Sequence, residues 1–211
     1  MAAQSSEAII LRTFPLKEAD LIVSYFTRDL GKLRGVAKRA RRPKSPFGAG
    51  LQRLSYVRMI YQHRDNRELD FLDSCEILSS PFSMTADYDV SVALDFLTEA
   101  AEHLLPPVEP NERFFRLILT VRNYLAGAGA AGVWPAVTYF ALWAARLGGF
   151  LGPMELDEVE KEIGEEMLRV KLAELTPREW NRETAAGLRR QLVRAIEEHV
   201  ERRITTLQYL G

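Results

Sequence analysis

The sequence predicts an α+β protein with the β part first: five short strands in a small antiparallel barrel or sandwich, then an α-helical bundle domain. Three observations predict it. Before Pro81 the apolar residues form short β-rich runs separated by polar turns. After Pro81 they recur every three or four residues, the period of a helix. The net charge of −1 over 211 residues divides into +5 for residues 1–80 and −6 for 81–211, so the two parts also differ in the partners they suit. The domain boundary is therefore placed at 80/81. A composition of 47% hydrophobic and 27% charged residues is that of a packed globule rather than a disordered chain.

The strands follow in order. Residues 8–13 are a β-rich apolar run, and 21–27 (LIVSYFT) are a second. Asp29-Leu30-Gly31-Lys32 makes a turn, with Gly31 suited to positive φ. Residues 33–37 resume the chain as a strand. Residues 51–62 alternate, with Leu54, Tyr56, Arg58 and Ile60 on one face and Ser55, Val57, Met59 and Tyr61 on the other. Arg64-Asp65-Asn66 turns the chain, and 68–78 return.

The helices come next. Over residues 87–105, Ala93, Phe96, Leu97, Ala100 and Leu104 share one face, and Pro106-Pro107 ends the helix. A second helix opens at Pro110-Asn111-Glu112, with Phe114, Leu117, Ile118, Val121 and Leu125 as its stripe. A third, from about Trp134 to Leu147, is apolar nearly all round and belongs at the centre of a bundle. Residues 148–175 are ambiguous: Glu155 to Glu166 holds seven acids against Lys161 alone, which reads as an exposed helix or a loop. Thr176-Pro177-Arg178-Glu179 has the form of a capping box and predicts the start of a long last helix carrying Leu188, Leu192, Ala195, Ile196, His199 and Val200.

Several function classes are disfavoured. Met1 to Ser6 lacks the basic and apolar regions of a secretory signal. The 22 residues from Tyr124 to Ala145 carry no charge, but Gly127, Gly129, Gly132 and Pro135 interrupt them. They read as a helix end, a loop and a buried helix, not as a membrane span. Cys75, the single cysteine, excludes a disulfide framework or a cysteine-rich zinc site. His63, His103 and His199 do not pair at metal-ligand spacing. Glu99 and His103, four apart on a helix, suit a surface pair, and His199 suits the core. No phosphate-binding glycine loop is present. Glu18 and Asp20 are the only early acids for metal-dependent hydrolysis, and they better suit a turn. No catalytic residue, metal or cofactor is expected.

The strongest feature is basic. Residues 31–58 contain Lys32, Arg34, Lys38, Arg39, Arg41, Arg42, Lys44, Arg53 and Arg58 and no acid. Such charges face water or a polyanion, and phosphates are their natural ligand. With Tyr25, Phe26, Tyr56 and Tyr61 on neighbouring strands, this is the combination that binds single strands on small barrels. Lys32, Arg34, Lys38, Arg39, Arg41, Arg42 and Lys44 are the expected phosphate contacts. Tyr56 and Tyr61 are candidates for base stacking, but their parity differs, so at least one belongs to the core. An RNA-binding or ribosome-associated barrel with a helical adaptor would carry the same loop.

Particular motifs resemble one family. Residues 8–13 (AIILRT), Glu18-Ala19-Asp20, the strand 21–27, Gly31-Lys32, Arg34-Gly35-Val36-Ala37-Lys38 and Arg41-Arg42-Pro43-Lys44-Ser45 are similar to the opening of the bacterial recombinational repair family RecO. Leu105-Pro106, Pro110-Asn111-Glu112 and the ending 192–210 also resemble it. Many members carry a four-cysteine zinc site after the equivalent of Leu147, where this chain has Gly148 to Pro153 and the acidic segment; zinc is not expected here.

The resemblance implies an N-terminal OB-fold over residues 1–80 and a helical domain over 81–211, with 148–175 in place of the zinc lobe. It implies binding of single- and double-stranded DNA, annealing of complementary strands, and loading of RecA with RecR onto DNA coated by single-strand binding protein (SSB). It also implies that the SSB tail docks in the helical domain, in an apolar pocket rimmed by arginines, and that the protein works in the cytoplasm at the nucleoid.

Overall fold

The computed structural model describes residues 3–63 and 68–210. The chain divides into two compact units, one of Met1–Ser83 with Ala101–Phe115, the other of Met84–Ala100 with Arg116–Gly211.

The first unit is a closed barrel of the OB type. Its strands are β1 (Gln4–Leu16), β2 (Asp20–Thr27), β3 (Gly31–Ala37), β4 (Tyr56–Gln62) and β5 (Asp70–Ser79), closed in the order β1-β2-β3-β5-β4. Four of the five pairings are antiparallel, and β3 pairs with β5 in parallel, from Gly35↔Asp70 to Ala37↔Leu72. The expected antiparallel barrel holds except at this pair. The reason is parity: strands that alternate in direction cannot close a ring of odd number, so one pair must run parallel.

β1 is longer than predicted because it serves two neighbours. Its first half pairs with β4, its second half with β2, and a register shift between Ile10 and Arg12 bends it between them. The interior is filled by alternate residues, among them Ala8, Ile10, Val23, Tyr25, Leu33, Val57, Met59, Tyr61 and Leu72. Tyr25 donates to Asp70 Oδ2 at 2.7 Å, so the buried hydroxyl is satisfied.

The strand predicted over 51–62 begins only at Tyr56. Leu54 has φ +56°, and its N–H bonds Ile10 O at 2.6 Å, so residues 51–55 form a turn against β1. The apolar residues between 47 and 54 act as a plug: Phe47, Leu51 and Leu54 are buried. The Arg64-Asp65-Asn66 turn lies outside the described residues. Gly31 has the expected positive φ, +80°, and a Cβ there would meet the Glu109 backbone at 2.2 Å.

Five helices follow: α1 (Tyr88–Leu104), α2 (Glu112–Ala128), α3 (Val133–Leu147), α4 (Glu158–Arg169) and α5 (Ala186–Val200). Asn111 caps α2, its Oδ1 accepting the Phe114 N–H at 3.0 Å. The charge-free stretch ends in α3, which is buried along most of its length and packs against α4 and α5. By length and composition 112–147 is apolar enough to cross a membrane, but 61% of its most apolar window is buried within the protein.

The acidic segment resolves into a helix with structural work for its acids. Asp157 caps α4 by accepting the Glu160 N–H at 2.8 Å. Glu160 in turn accepts the Gly187 and Leu188 N–H groups at the start of α5, where a carboxylate opposes the helix dipole. Glu166 pairs with Arg178 and accepts the Thr176 N–H.

That last contact explains a correction. Thr176-Pro177-Arg178-Glu179 does not start a helix; residues 176–185 are irregular and α5 begins at Ala186. The Thr176 and Arg178 groups are committed to Glu166, so the local capping pattern is overridden by tertiary pairing. His199 is likewise not a core residue: it is exposed, and its ring stacks on Phe150 with centroids 4.2 Å apart. The Glu99 carboxylate, expected in a surface pair, is taken up by the Thr205 and Thr206 N–H and hydroxyl groups at 2.7–3.1 Å.

Candidate nucleic-acid interface

The loop from residue 38 to residue 55 joins β3 to β4 and carries most of the basic run. Its backbone is tied at each end. The Arg41 N–H bonds Ala19 O at 3.0 Å and the Arg39 N–H bonds Asp20 Oδ1 at 2.8 Å, which fastens the loop to the β1–β2 turn. The Glu18-Ala19-Asp20 segment therefore holds the loop, a structural role that agrees with its placement in a turn. Farther along, the Arg42, Ser45, Gly48 and Gly50 N–H groups close successive turns, and Phe47 enters the barrel core with 2% exposure. Arg39 and Lys44 take the left-handed conformation, φ +55° and +62°. Side chains here are set by a fixed backbone rather than by a free loop.

The exposed cations on this backbone are Lys38, Arg39, Arg41, Arg42 and Lys44; Arg53, farther along, is half-buried. Among the described residues, no carboxylate side chain lies within ion-pair distance of any of the five exposed ones. Lys38 lies over the Phe71 ring at 5.4 Å, and Arg41 reaches the Glu18 carbonyl at 3.4 Å. Five charges crowded on one loop repel one another, and a polyanion relieves that repulsion.

Lys32 and Arg34 do not join them. Both lie on the outer face of β3, toward its start, about 13–20 Å along the strand from Lys38. Arg34 pairs with the buried Glu102 carboxylate at 3.2 Å, and Lys32 Nζ donates to the Glu102 carbonyl. Ser24 Oγ donates to the same carboxylate at 2.7 Å. Burial lowers the Lys32 ammonium from its ordinary value against the pull of Glu102. The two cations fasten residues 101–115 to the barrel. Glu102 escaped the sequence reading because an acid beside an apolar helical stripe reads as solvated surface. Lys17, exposed with φ +59° in the β1–β2 turn, also escaped it, being an isolated charge.

The tyrosines separate as parity required. Tyr61 is in the barrel core at 1% exposure, edge-on to Tyr25 at 5.8 Å, and burial raises its hydroxyl far above the ordinary value. It is unavailable for stacking on a base, which corrects that expectation. Tyr56 is on the outer side, but its hydroxyl donates to Glu7 at 2.6 Å and its ring packs edge-on to Phe115 at 6.1 Å. Burial first, then Glu7, raises its pKa. Its ring is thus part of the same packing that holds 101–115.

The helical unit contains a cleft of about 350 Å³ at α5. Trp134, Val193, Leu207 and Leu210 give apolar walls, and the polar lining includes Arg182, Arg190, Glu183, Glu197 and Arg194, the last paired with Glu198 at 2.8 Å. Arg189 forms part of its floor, with its guanidinium 4.4 Å from the Trp134 ring centroid and bonded to the Thr184 carbonyl at 3.1 Å. Burial brings that guanidinium down to about 10, still charged at neutral pH.

The residues present do not fit a structural zinc. Among the described residues, no three His, Cys, Asp or Glu side chains converge on a metal position. Cys75 lies in β5, bonded to Phe47 O, with its thiol pushed up to about 11 by burial.

Comparison with known proteins agrees with this geometry. The family model for the recombination protein O N-terminal region matches residues 1–81. The DNA repair protein RecO of Koribacter versatilis is 38% identical over 98% of both chains. The RecO of Salinibacter ruber is 30% identical over 87% of this chain and 73% of its own. That of Bifidobacterium animalis is 38% identical over 60% of this chain and 53% of its own. A barrel of OB type bearing a basic loop, followed by helices and matched over 98% of its length by one such relative, places the chain in the RecO family of DNA repair and recombination proteins.

Proposed function

We propose that this protein binds DNA through Lys38, Arg39, Arg41, Arg42 and Lys44, and that it acts as a recombination mediator rather than as an enzyme. The observation that carries the reading is the set of five exposed cations without carboxylate partners on a loop pinned by its own backbone. Contacts to phosphates hold both single and double strands and leave base edges free. Two bound strands then approach with their mutual repulsion reduced, which favours annealing of complementary sequences. The reading extends to the family role: with RecR, the protein helps load RecA onto single strands coated by SSB, in the cytoplasm at the nucleoid. The apolar cleft at α5 suits the SSB tail, an acidic segment ending in an apolar residue, with Arg182 and Arg190 facing its carboxylates.

The test is annealing of two complementary labelled oligonucleotides coated with cognate SSB. The expected result is faster pairing with the protein, weakened by salt and lost when Lys38, Arg39, Arg41 and Arg42 are changed to Ala. Absence of acceleration together with absence of DNA binding at low salt overturns the reading. Binding to RNA in preference to complementary DNA would assign the loop to an RNA partner instead.

A further inference from the structure

We propose that the outer face of the barrel carries a base-stacking platform, formed by Phe14 and Phe71 with Ile22 and Val36 between them, which takes the bases of an unpaired strand whose phosphates lie on the basic loop. This rests on the nucleic-acid reading above and deepens it by naming the residues that distinguish single from double strands.

The strand registers build the platform. Phe14 pairs with Ile22, Ile22 with Val36, and Val36 with Phe71. Directly opposed residues on neighbouring strands share a face, so the four side chains form one row across β1, β2, β3 and β5. Their strand neighbours Val23, Ala37 and Leu72 point into the core, which places the row outside. Three strand spacings make the row about 14 Å long, enough for two or three bases.

The chain treats the two parts of this outer face differently. Residues 101–115 bury Ser24 and Phe26 and half-bury Lys32: Ser24 donates to the Glu102 carboxylate, Lys32 to the Glu102 carbonyl, and Phe26 meets the rings of Phe114 and Phe115 at 6.5 and 5.6 Å, while Arg34 at their edge is exposed and paired with Glu102. The row with Phe14 is left accessible. Phe14 is 37% exposed, and Ile22, Val36 and Phe71 are half-buried.

Charge complementarity fixes the occupant. The row adjoins the basic loop, since Val36 is two residues before Lys38 and the Lys38 ammonium lies over Phe71. A polymer with anionic links and flat apolar groups matches both surfaces, and in a duplex those flat groups are hidden in the stack. Phenylalanine lacks hydrogen-bonding groups, so the platform reads base faces and not sequence. Stacking also leaves the pairing edges open to a second strand.

The experiment measures fluorescence anisotropy of three probes of equal length: oligo(dT), an abasic deoxyribose-phosphate strand, and a duplex. The proteins are the wild type, Phe14→Ala, Phe14→Ala/Phe71→Ala and Phe14→Tyr, each checked for thermal unfolding. The expected result is a loss of about five- to tenfold on oligo(dT) for Phe14→Ala and a larger loss for the double variant. Affinity for the abasic strand and the duplex should hold within about twofold, the salt slope should be unchanged, and Phe14→Tyr should bind as the wild type. If the double variant fails to fold, Phe14→Ala alone decides. Unchanged oligo(dT) affinity, or equal losses on all three probes, overturns the platform and leaves the DNA reading standing. A wild type that binds none of the probes at low salt overturns both.

Discussion

The two sets of cations that flank residue 36 face opposite fates. Lys32 and Arg34 precede it on β3 and are both engaged by Glu102, Arg34 by its carboxylate and Lys32 by its main-chain carbonyl. Lys38, Arg39, Arg41, Arg42 and Lys44 follow it and have no carboxylate partner among the described residues. One basic run in sequence is therefore two devices in space, an internal fastening and an external binding surface. A positive charge becomes a ligand contact only when the fold leaves it without a carboxylate.

The comparison is broken most severely by removing the external set. Changing Arg39, Arg41, Arg42 and Lys44 to Ala should lower affinity for single strands by at least about a hundredfold in low salt, read by anisotropy, with thermal stability retained. Phe47→Ala attacks the anchor instead of the charges. It should cost about 3 kcal/mol in urea unfolding through the cavity left in the barrel core. Glu102→Ala removes the partner of the internal set and should cost about 2 kcal/mol, because Ser24 is left buried without its acceptor.

A fourth prediction uses the other buried carboxylate of α1. Burial alone would raise the Glu99 pKa, but the Thr205 and Thr206 donors outweigh it and hold the group below its ordinary value. A carboxylate whose folded pKa is depressed stabilises the fold above its unfolded pKa and loses that contribution as pH falls through the folded one. Wild-type stability should therefore drop in acid more than that of Glu99→Gln, a difference read from urea midpoints between neutral pH and the pH range below about 4. The smallest expected effect is on binding by Lys32→Met and Arg34→Met, each within about twofold of the wild type, since Lys32 is spent on the Glu102 carbonyl and Arg34 on the Glu102 carboxylate.

Much of this was legible in the sequence, and the exceptions are instructive. The strand and helix periods gave the β-then-α order because periodicity is local. The basic run was equally visible, but its division was not, because Glu102 is far from Arg34 along the chain. Thr176 to Glu179 misled for the same reason: a good local cap lost to Glu166 across the unit. Tyr61 could be paired against Tyr56 by parity, yet which of them faced inward needed the closed barrel. Phe14 escaped notice because the sequence reading ended its strand at Thr13.

The most direct measurement is the salt dependence of single-strand binding, taken side by side for three proteins. The account predicts that changing Arg39, Arg41, Arg42 and Lys44 to Ala flattens the log–log slope by roughly three, at about 0.7 per lost contact, while the Lys32→Met/Arg34→Met pair keeps the wild-type slope. A wild-type slope in the loop variant, or a flattened one in the β3 variant, would contradict it.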